Sequence, residues 1–578
     1  MDKLDQYRAA TGKLPERSRL WPLYGAGLEN LGQAGQPVEA PMPPFGPDEL
    51  LVRHDACGLC FSDIKVIKLG QEHPRIYRDM RSQPVTLGHE VTMTVVGVGA
   101  KLRERYRLGD RFVIQADIFV DGVGYAYGYE IQGGLSQYGV IDRRILDGDD
   151  GNYLIPVQPE TGYAEAALTE PWACVTAAYG LAYRTGLKAG GTAWIIGQAQ
   201  RTRHDAQGEE RPPEYTISAG YDGKSHPARL MLTGVPEAFD GWLRQRAERL
   251  RVELIDVPDS ALPATRLADD IVLLGADPDL IEAVSPHLAD HGILAIIAEK
   301  PMSRPIEVDV GRIHYNRWVC VGGQDPDIAR AYSRVPVRSA LRPGGRTWFV
   351  GAGGPVGRMH VQRALQSAGR PGTIVCTDVS DVRLEDLRTT FAAEAEAKGV
   401  EWLCLNPAHK EEYAAAIAHY RAQGFDDIVV LAPIPAVITE AGGCLARGGV
   451  MNIFAGVGRG TVALLDLSDA YLRDVRVIGH SASTIDDLRL TLLQAETGQL
   501  SPNRSVAAVG SLGAAHEGLQ AVLDTRFPGK VVIFPNIREL SLTALPDLAR
   551  VLPSVYARLK EGREWTLEAE QEFLRVML

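Results

Sequence analysis

Two stretches of this chain are near copies of one another. Leu187-Lys188-Ala189-Gly190-Gly191-Thr192-Ala193-Trp194-Ile195-Ile196-Gly197 returns as Leu341-Arg342-Pro343-Gly344-Gly345-Arg346-Thr347-Trp348-Phe349-Val350-Gly351, 154 residues on (341 minus 187). Asp269-Asp270-Ile271-Val272-Leu273-Leu274 returns as Asp426-Asp427-Ile428-Val429-Val430-Leu431, and Trp318-Val319-Cys320-Val321-Gly322 as Val475-Arg476-Val477-Ile478-Gly479, both 157 on. Three landmarks in one order at a nearly constant offset predict two copies of one design. Within each copy, short β-rich runs alternate with helical stretches, which indicates βαβ units and a parallel sheet. Residues 189–340 and 341–497 are therefore expected to be tandem doubly wound modules.

The flanks differ. Residues 1–188 alternate apolar and polar positions between glycines, as in Glu49–Arg53, Thr92–Val96 and Gly109–Ile114, which predicts a small barrel-like β domain. Ala507–Val509 and Gly529–Phe534 read as strands that close this domain within 498–538, and 539–578 reads as a helical tail for docking or oligomer contact. The net charge of -12, with no basic block, argues against a nucleic-acid partner. With no apolar leader and no membrane-length apolar run, a cytoplasmic chain with no membrane partner is expected. Seven scattered cysteines do not make a disulfide framework.

Chemistry concentrates in a few turns. Gly58-Leu59-Cys60-Phe61-Ser62-Asp63, Gly88-His89-Glu90 and Thr169-Glu170-Pro171 supply a thiolate, an imidazole and carboxylates, the donors of a catalytic zinc with an open position. Cys60 and His89 are the expected ligands. Glu90 either binds directly or sits behind the metal, and Glu170 is the alternative third ligand. Ser62 is placed to relay the proton of an alcohol, and Asp63 to orient the imidazole. Cys57 and Cys174 read as buried small residues.

In the second copy, Arg346–Val350 is a strand, Gly351-Ala352-Gly353-Gly354-Pro355-Val356-Gly357 a turn, and Arg358–Leu365 a helix start whose amides suit a pyrophosphate. The next strand ends in Asp378, an acceptor for an adenosine ribose that repels a 2′-phosphate, so NAD is expected over NADP. The first copy continues instead as Gln198-Ala199-Gln200-Arg201-Thr202-Arg203, with side chains where bare backbone is needed, and is expected to hold no dinucleotide.

These segments resemble the zinc-dependent medium-chain dehydrogenase/reductase superfamily, with Glu170-Pro171 like that of its polyol dehydrogenases. The likeness covers about residues 40–190 and 340–535. It implies a GroES-like β-barrel catalytic domain with Rossmann domains, an active site in the cleft between them, and a homo-oligomer (dimer or tetramer). It further implies one catalytic zinc, because the stretch near 115–135 that carries a structural zinc in many relatives has no cysteine here. Lys65 stands where many relatives have a relay histidine. Ser62, Lys65 and Glu90 are thus the expected catalytic residues. Ala352, Gly354, Pro355, Val356, Gly357, Asp378 and Arg383 are those expected at the cofactor.

The resulting expectation is an NAD(H)-dependent zinc oxidoreductase acting on a small polyol, sugar or sugar phosphate. Two other readings stand beside it. One is a zinc enzyme whose tightly held NAD supports epimerisation or elimination without net redox; the other is a metal-stabilised assembly protein without catalysis.

Overall fold

The computed structural model describes residues 3–197, 203–204, 210–211, 215–258, 267–333 and 338–578. They form two compact units: Met1–Ala177 with Gly354–Gln366 and Ala482–Leu578, and Ala178–Gly353 with Ser367–Ser481. Among the described residues no helix is long and apolar enough to cross a membrane.

In the first unit, β1 (Leu50–Gly58) is buried along its whole length. Its polar residues are matched inside: Arg53 Nε donates to Asp55 Oδ1 at 2.7 Å, and His54 meets Ser136 O at 2.9 Å and Tyr127 Oη at 2.6 Å. Helix α1 (Phe61–Leu69) follows, then β2 (Glu90–Val98), antiparallel to β1 with Gly58 opposite Glu90. Strand β3 (Arg111–Ile114) pairs with β2. Helix α2 (Thr169–Ala177) ends this part of the chain.

The second unit holds both copies of the repeat. The first contributes β4 (Thr192–Gly197), β5 (Arg229–Thr233), β6 (Glu253–Asp256), β7 (Ala268–Leu274), β8 (Leu288–Ile297), β9 (Ile306–Asp309), α3 (Val310–Asn316) and β10 (Val319–Gly323). The second contributes β11 (Arg346–Val350), β12 (Thr373–Thr377), α5 (Asp381–Ala397), β13 (Glu401–Leu405), β14 (Phe425–Val430), β15 (Leu445–Ile453), β16 (Val462–Leu465), α6 (Ser468–Leu472) and β17 (Arg476–Gly479). Helix α4 (Pro355–Gln366), between β11 and β12 in the chain, is grouped with the first unit. The two sheets run β6-β5-β4-β7-β8-β10 and β13-β12-β11-β14-β15-β17, all parallel. Both follow the doubly wound order 3-2-1-4-5-6 of the Rossmann fold.

The duplication extends to single bonds. Trp194 Nε1 donates to Thr233 Oγ1 at 2.9 Å, and Trp348 Nε1 to Thr377 Oγ1 at 3.0 Å. Asp270 pairs with Arg184 and accepts from the Lys188 amide, as Asp427 does with Arg338 and the Arg342 amide. Arg184 explains why this unit starts at Ala178 rather than near 189: its guanidinium closes behind the sheet on Asp270.

The chain then returns to the first unit through α7 (Ile485–Glu496), β18 (Val506–Ser511) and β19 (Lys530–Phe534). Helix α7 packs on α2, which is why the return begins at Ala482 and not near 498. Strand β19 is antiparallel to β1 and parallel to β18, so the eight-stranded sheet is completed by residues almost 500 positions from its start. The tail ends in α8 (Leu567–Met577), whose buried Glu570 accepts from the Tyr163 and Ala164 amides at 2.5 and 2.8 Å. The tail thus docks on its own chain.

Candidate active site

Cys60 occupies the N-cap of α1 with extended backbone (φ -124, ψ 153). Asp63, three residues on and fully buried, accepts from the Cys60 amide through Oδ2 at 3.0 Å and from the Gly88 amide through Oδ1 at 3.4 Å. The same Oδ1 stands 3.3 Å from His89 Nδ1. One carboxylate therefore caps the helix, fixes the turn before β2 and orients the imidazole. Gly88 has φ 100, and a Cβ there would lie 2.7 Å from Cys57 Sγ, so the turn that delivers His89 requires glycine.

Glu90 opens β2 opposite Gly58, where a Cβ would come within 2.2 Å of Glu90 Oε2. Its Oε1 is 2.5 Å from Lys530 Nζ, the first residue of β19, with side-chain exposures of 0% and 5%. Its Oε2 is buried without a hydrogen-bond partner. Ligand atoms of Cys60, His89 and Glu90 all lie within 4.8 Å of one another.

Charge completes the picture. Burial alone would lower the His89 pKa, but the Asp63 carboxylate and the Cys60 side chain outweigh it and hold the imidazole well above its ordinary range. This spot favours positive charge. Burial lifts the Glu170 carboxyl to about 7; His89 opposes that rise and Glu90 adds to it. Glu170 is thus within electrostatic reach of the cluster but outside the 4.8 Å set. Burial also lowers the Lys530 pKa, and Glu90 and Cys60 more than reverse it, so the ammonium stays charged. A thiol, an imidazole and a carboxylate match the donor preference of zinc, and the orphaned Glu90 Oε2 is an acceptor that a cation would satisfy.

Ser62 lies part-exposed in the first turn of α1, with Lys65 half-buried one turn on. The Lys65 and Arg75 charges, after burial, lower the pKa of His73. The Tyr129 ring stands edge-on to both His89 (5.9 Å between centroids) and His73 (5.1 Å). Sequence reasoning missed Tyr129, His73 and the role of Lys530. Of these only Lys530 left a trace, as a charge opening the apolar run Val531–Phe534. Cys57 is fully buried in the core and not in the cluster, and burial raises the Cys174 thiol. The 115–135 stretch forms the hairpin Asp117–Val120/Val123–Ala126.

In the second unit, the turn after β11 is built around Asp378. Gly351 (φ 81) and Ala352 donate their amides to Thr377 O at 2.8 and 2.9 Å, and Gly353 donates to Asp378 Oδ2 at 3.0 Å. A Cβ at Gly353 would lie 2.6 Å from Arg383 Cβ and 2.8 Å from Asp378 Oδ2. The buried Ala352 thus serves the turn itself, and its amide is not free for a phosphate. Gly354 has open space around it. Pro355 takes the first position of α4, and the amides of Val356 and Gly357 fall in the first turn, where a helix offers them no acceptor. Asp378 Oδ1 accepts from Ser380, the N-cap of α5, and Val379 and Val382 beside it are 75% and 81% exposed. In the first copy, β5 runs into Thr233-Gly234, with no acid at the equivalent place. Its Gln198–Thr202 segment, with Arg201, lies outside the described residues.

Residues 46–146 match the family model of the alcohol dehydrogenase GroES-like domain. The mannitol-1-phosphate 5-dehydrogenase of Aliivibrio fischeri is 22% identical, over 92% of this chain and 93% of its own. The L-sorbose 1-phosphate reductase of Klebsiella pneumoniae is 26% identical, over 50% of this chain and 73% of its own. A solved structure from Sinorhizobium meliloti 1021, described as an alcohol dehydrogenase, shares the fold with a TM-score of 0.50 at 14% identity, covering 90% of this chain and 100% of that one. A GroES-like domain of the alcohol dehydrogenase kind at residues 46–146, with relatives named as polyol and sugar-phosphate dehydrogenases and reductases, supports membership of the medium-chain dehydrogenase/reductase superfamily.

Proposed function

We propose that this chain is an oxidoreductase that moves a hydride between NAD(H) and the alcohol or ketone of a polyol, sugar or sugar phosphate. The observation that carries the reading is the cluster of Cys60, His89 and Glu90 with its unpartnered Oε2. The names of the mannitol-1-phosphate and sorbose-1-phosphate relatives support the substrate class.

Cys60 and His89 would hold one zinc, with Glu90 or Glu170 as a third ligand. When bound, zinc supplies Lewis acidity toward a substrate oxygen, and the nicotinamide exchanges the hydride. The chain's own residues do the rest. The Asp63 carboxylate, with Oδ1 3.3 Å from His89 Nδ1, holds the imidazole in place by its charge. Lys530 pairs with one oxygen of Glu90 in a buried place. Ser62 takes the substrate's hydroxyl proton in oxidation and returns it in reduction, with Lys65 on the outward path. Asp378 would accept from the adenosine ribose with its remaining lone pairs, and the first-turn amides of Val356 and Gly357, which a helix leaves without acceptors, suit an anion such as a pyrophosphate. Exposed Val379 and Val382 offer an apolar surface for adenine.

The test is metal analysis joined to a substrate panel read by NADH absorbance. Purified protein should contain about one zinc per chain, as one catalytic site requires. Cys60→Ser should lose zinc and turnover while NAD still binds by calorimetry. A Cys60→Ser enzyme with normal turnover would refute the site.

A further inference from the structure

The two Rossmann modules of this chain meet through equivalent surfaces. Strands β9 and β16 pair antiparallel, Ile306 with Leu465, Glu307 with Leu464, Val308 with Ala463 and Asp309 with Val462. Glu307 and Leu464 are 157 residues apart, which is the repeat offset itself, so each faces its own counterpart. The ribbon therefore straddles a local two-fold axis. The packing is reciprocal. Helix α3 of the first module lies on β17 of the second, α6 of the second lies on β10 of the first, and β10 and β17 lie against each other.

Glycines mark both halves of this contact. A Cβ at Gly479 in β17 would lie 2.7 Å from Ile313 O in α3, and one at Gly322 in β10 would lie 2.7 Å from Tyr471 Cβ in α6. Gly322 and Gly479 are again 157 apart. Ile306, Val308, Trp318, Ala463, Leu465 and Tyr471 belong to one hydrophobic core that spans the two modules.

A contact in which each patch meets its own equivalent is the arrangement of a symmetric dimer of identical chains. Here it lies inside one chain. We infer that residues 189–340 act as a built-in second subunit, occupying the outer strand of the 341–497 sheet so that no second copy of the chain pairs there. The first module forms this interface and has no acid at the end of its second strand, which fits a module that serves as a partner and not as a nucleotide site. Covalent linkage favours the internal arrangement: a tethered partner acts at ~mM effective concentration, about a thousandfold above a free copy at micromolar protein. The inference does not depend on the hydride reaction.

The test is a double variant, Glu307→Cys with Leu464→Cys, at facing positions of the ribbon. Both side chains are exposed, Leu464 by 51%, so the fold does not rest on them. The full chain is oxidised mildly from micromolar to nanomolar concentration, with the single variants as controls for the native cysteines. The expected product is a 307–464 disulfide, located by peptide mass spectrometry, in a species with the mass of one chain and a yield independent of dilution. A bond that joins two chains, a yield that falls with dilution, or failure to cross-link would each overturn the inference.

Discussion

Lys530→Met isolates what the buried ion pair does for the metal cluster. Lys530 Nζ and Glu90 Oε1 are 2.5 Å apart, and neither side chain is more than 5% exposed. Removing the ammonium leaves a buried carboxylate without its ion-pair partner, which costs about 3–5 kcal/mol when one partner of such a pair is deleted. The orphan's escape is to take up a proton. That route costs about 1.4 kcal/mol for each pH unit above the ordinary glutamate value of about 4.3, or roughly 5 kcal/mol at pH 8 and roughly 2.3 at pH 6. The destabilisation of Lys530→Met should therefore fall from about 3–5 kcal/mol at pH 8 to about 2.3 kcal/mol at pH 6, where protonation is the cheaper route. The double variant Lys530→Met/Glu90→Gln, which buries no net charge, should recover most of the loss at pH 8. Urea unfolding of the zinc-stripped protein at both pH values reads all of this, because a bound cation would itself compensate Glu90. Equal destabilisation at pH 6 and pH 8, or a double variant no better than the single one, would refute the argument that an uncompensated Glu90 charge is the cause.

Three further outcomes are expected. Ser62→Ala should lower kcat by about 10²–10⁴, the usual scale of a lost proton relay, with zinc content unchanged by metal analysis. Asp378→Ala removes a charged acceptor worth about 1.5–3 kcal/mol, so NAD should bind tenfold or more weakly and the preference over NADP should narrow, read by titration of both dinucleotides. Glu165 is an acid that burial first, and then Glu570, lifts to about 7 from its ordinary 4.5. The folded state therefore holds a proton the unfolded state releases, so this contribution to stability is full below about 4.5 and is lost as pH rises through about 7. Glu165→Gln should keep the chain stable across that window, by up to about 3 kcal/mol at pH 8 relative to the parent, with thermal melts against pH as the readout.

What could be read from the sequence follows from how local each cause is. The repeat was legible because a strand, its glycine turn and the acid of the next strand sit within about thirty residues in a Rossmann unit. Cys60 and His89 were legible for a similar reason: each adjoins a turn that only a few residue types can make, and Asp63 lies on the same helical turn as the thiol it positions. The Glu90–Lys530 pair was not legible, since 440 residues separate two charges whose meeting depends on β19 completing the sheet of β1. The unit boundaries shifted for the same reason. The sequence places Arg184 and helix α7 with their chain neighbours, whereas the fold assigns Arg184 to buried Asp270 and α7 to the face of α2. Asp378 shows the limit from the other side, because its work in the turn left no trace in the sequence. Before it can accept from any ribose, its carboxylate already holds the Gly353 and Ser380 amides, so the acid that would select the nucleotide also shapes the turn that would cradle it. A substitution there should therefore change affinity and selectivity together, because one side chain carries both.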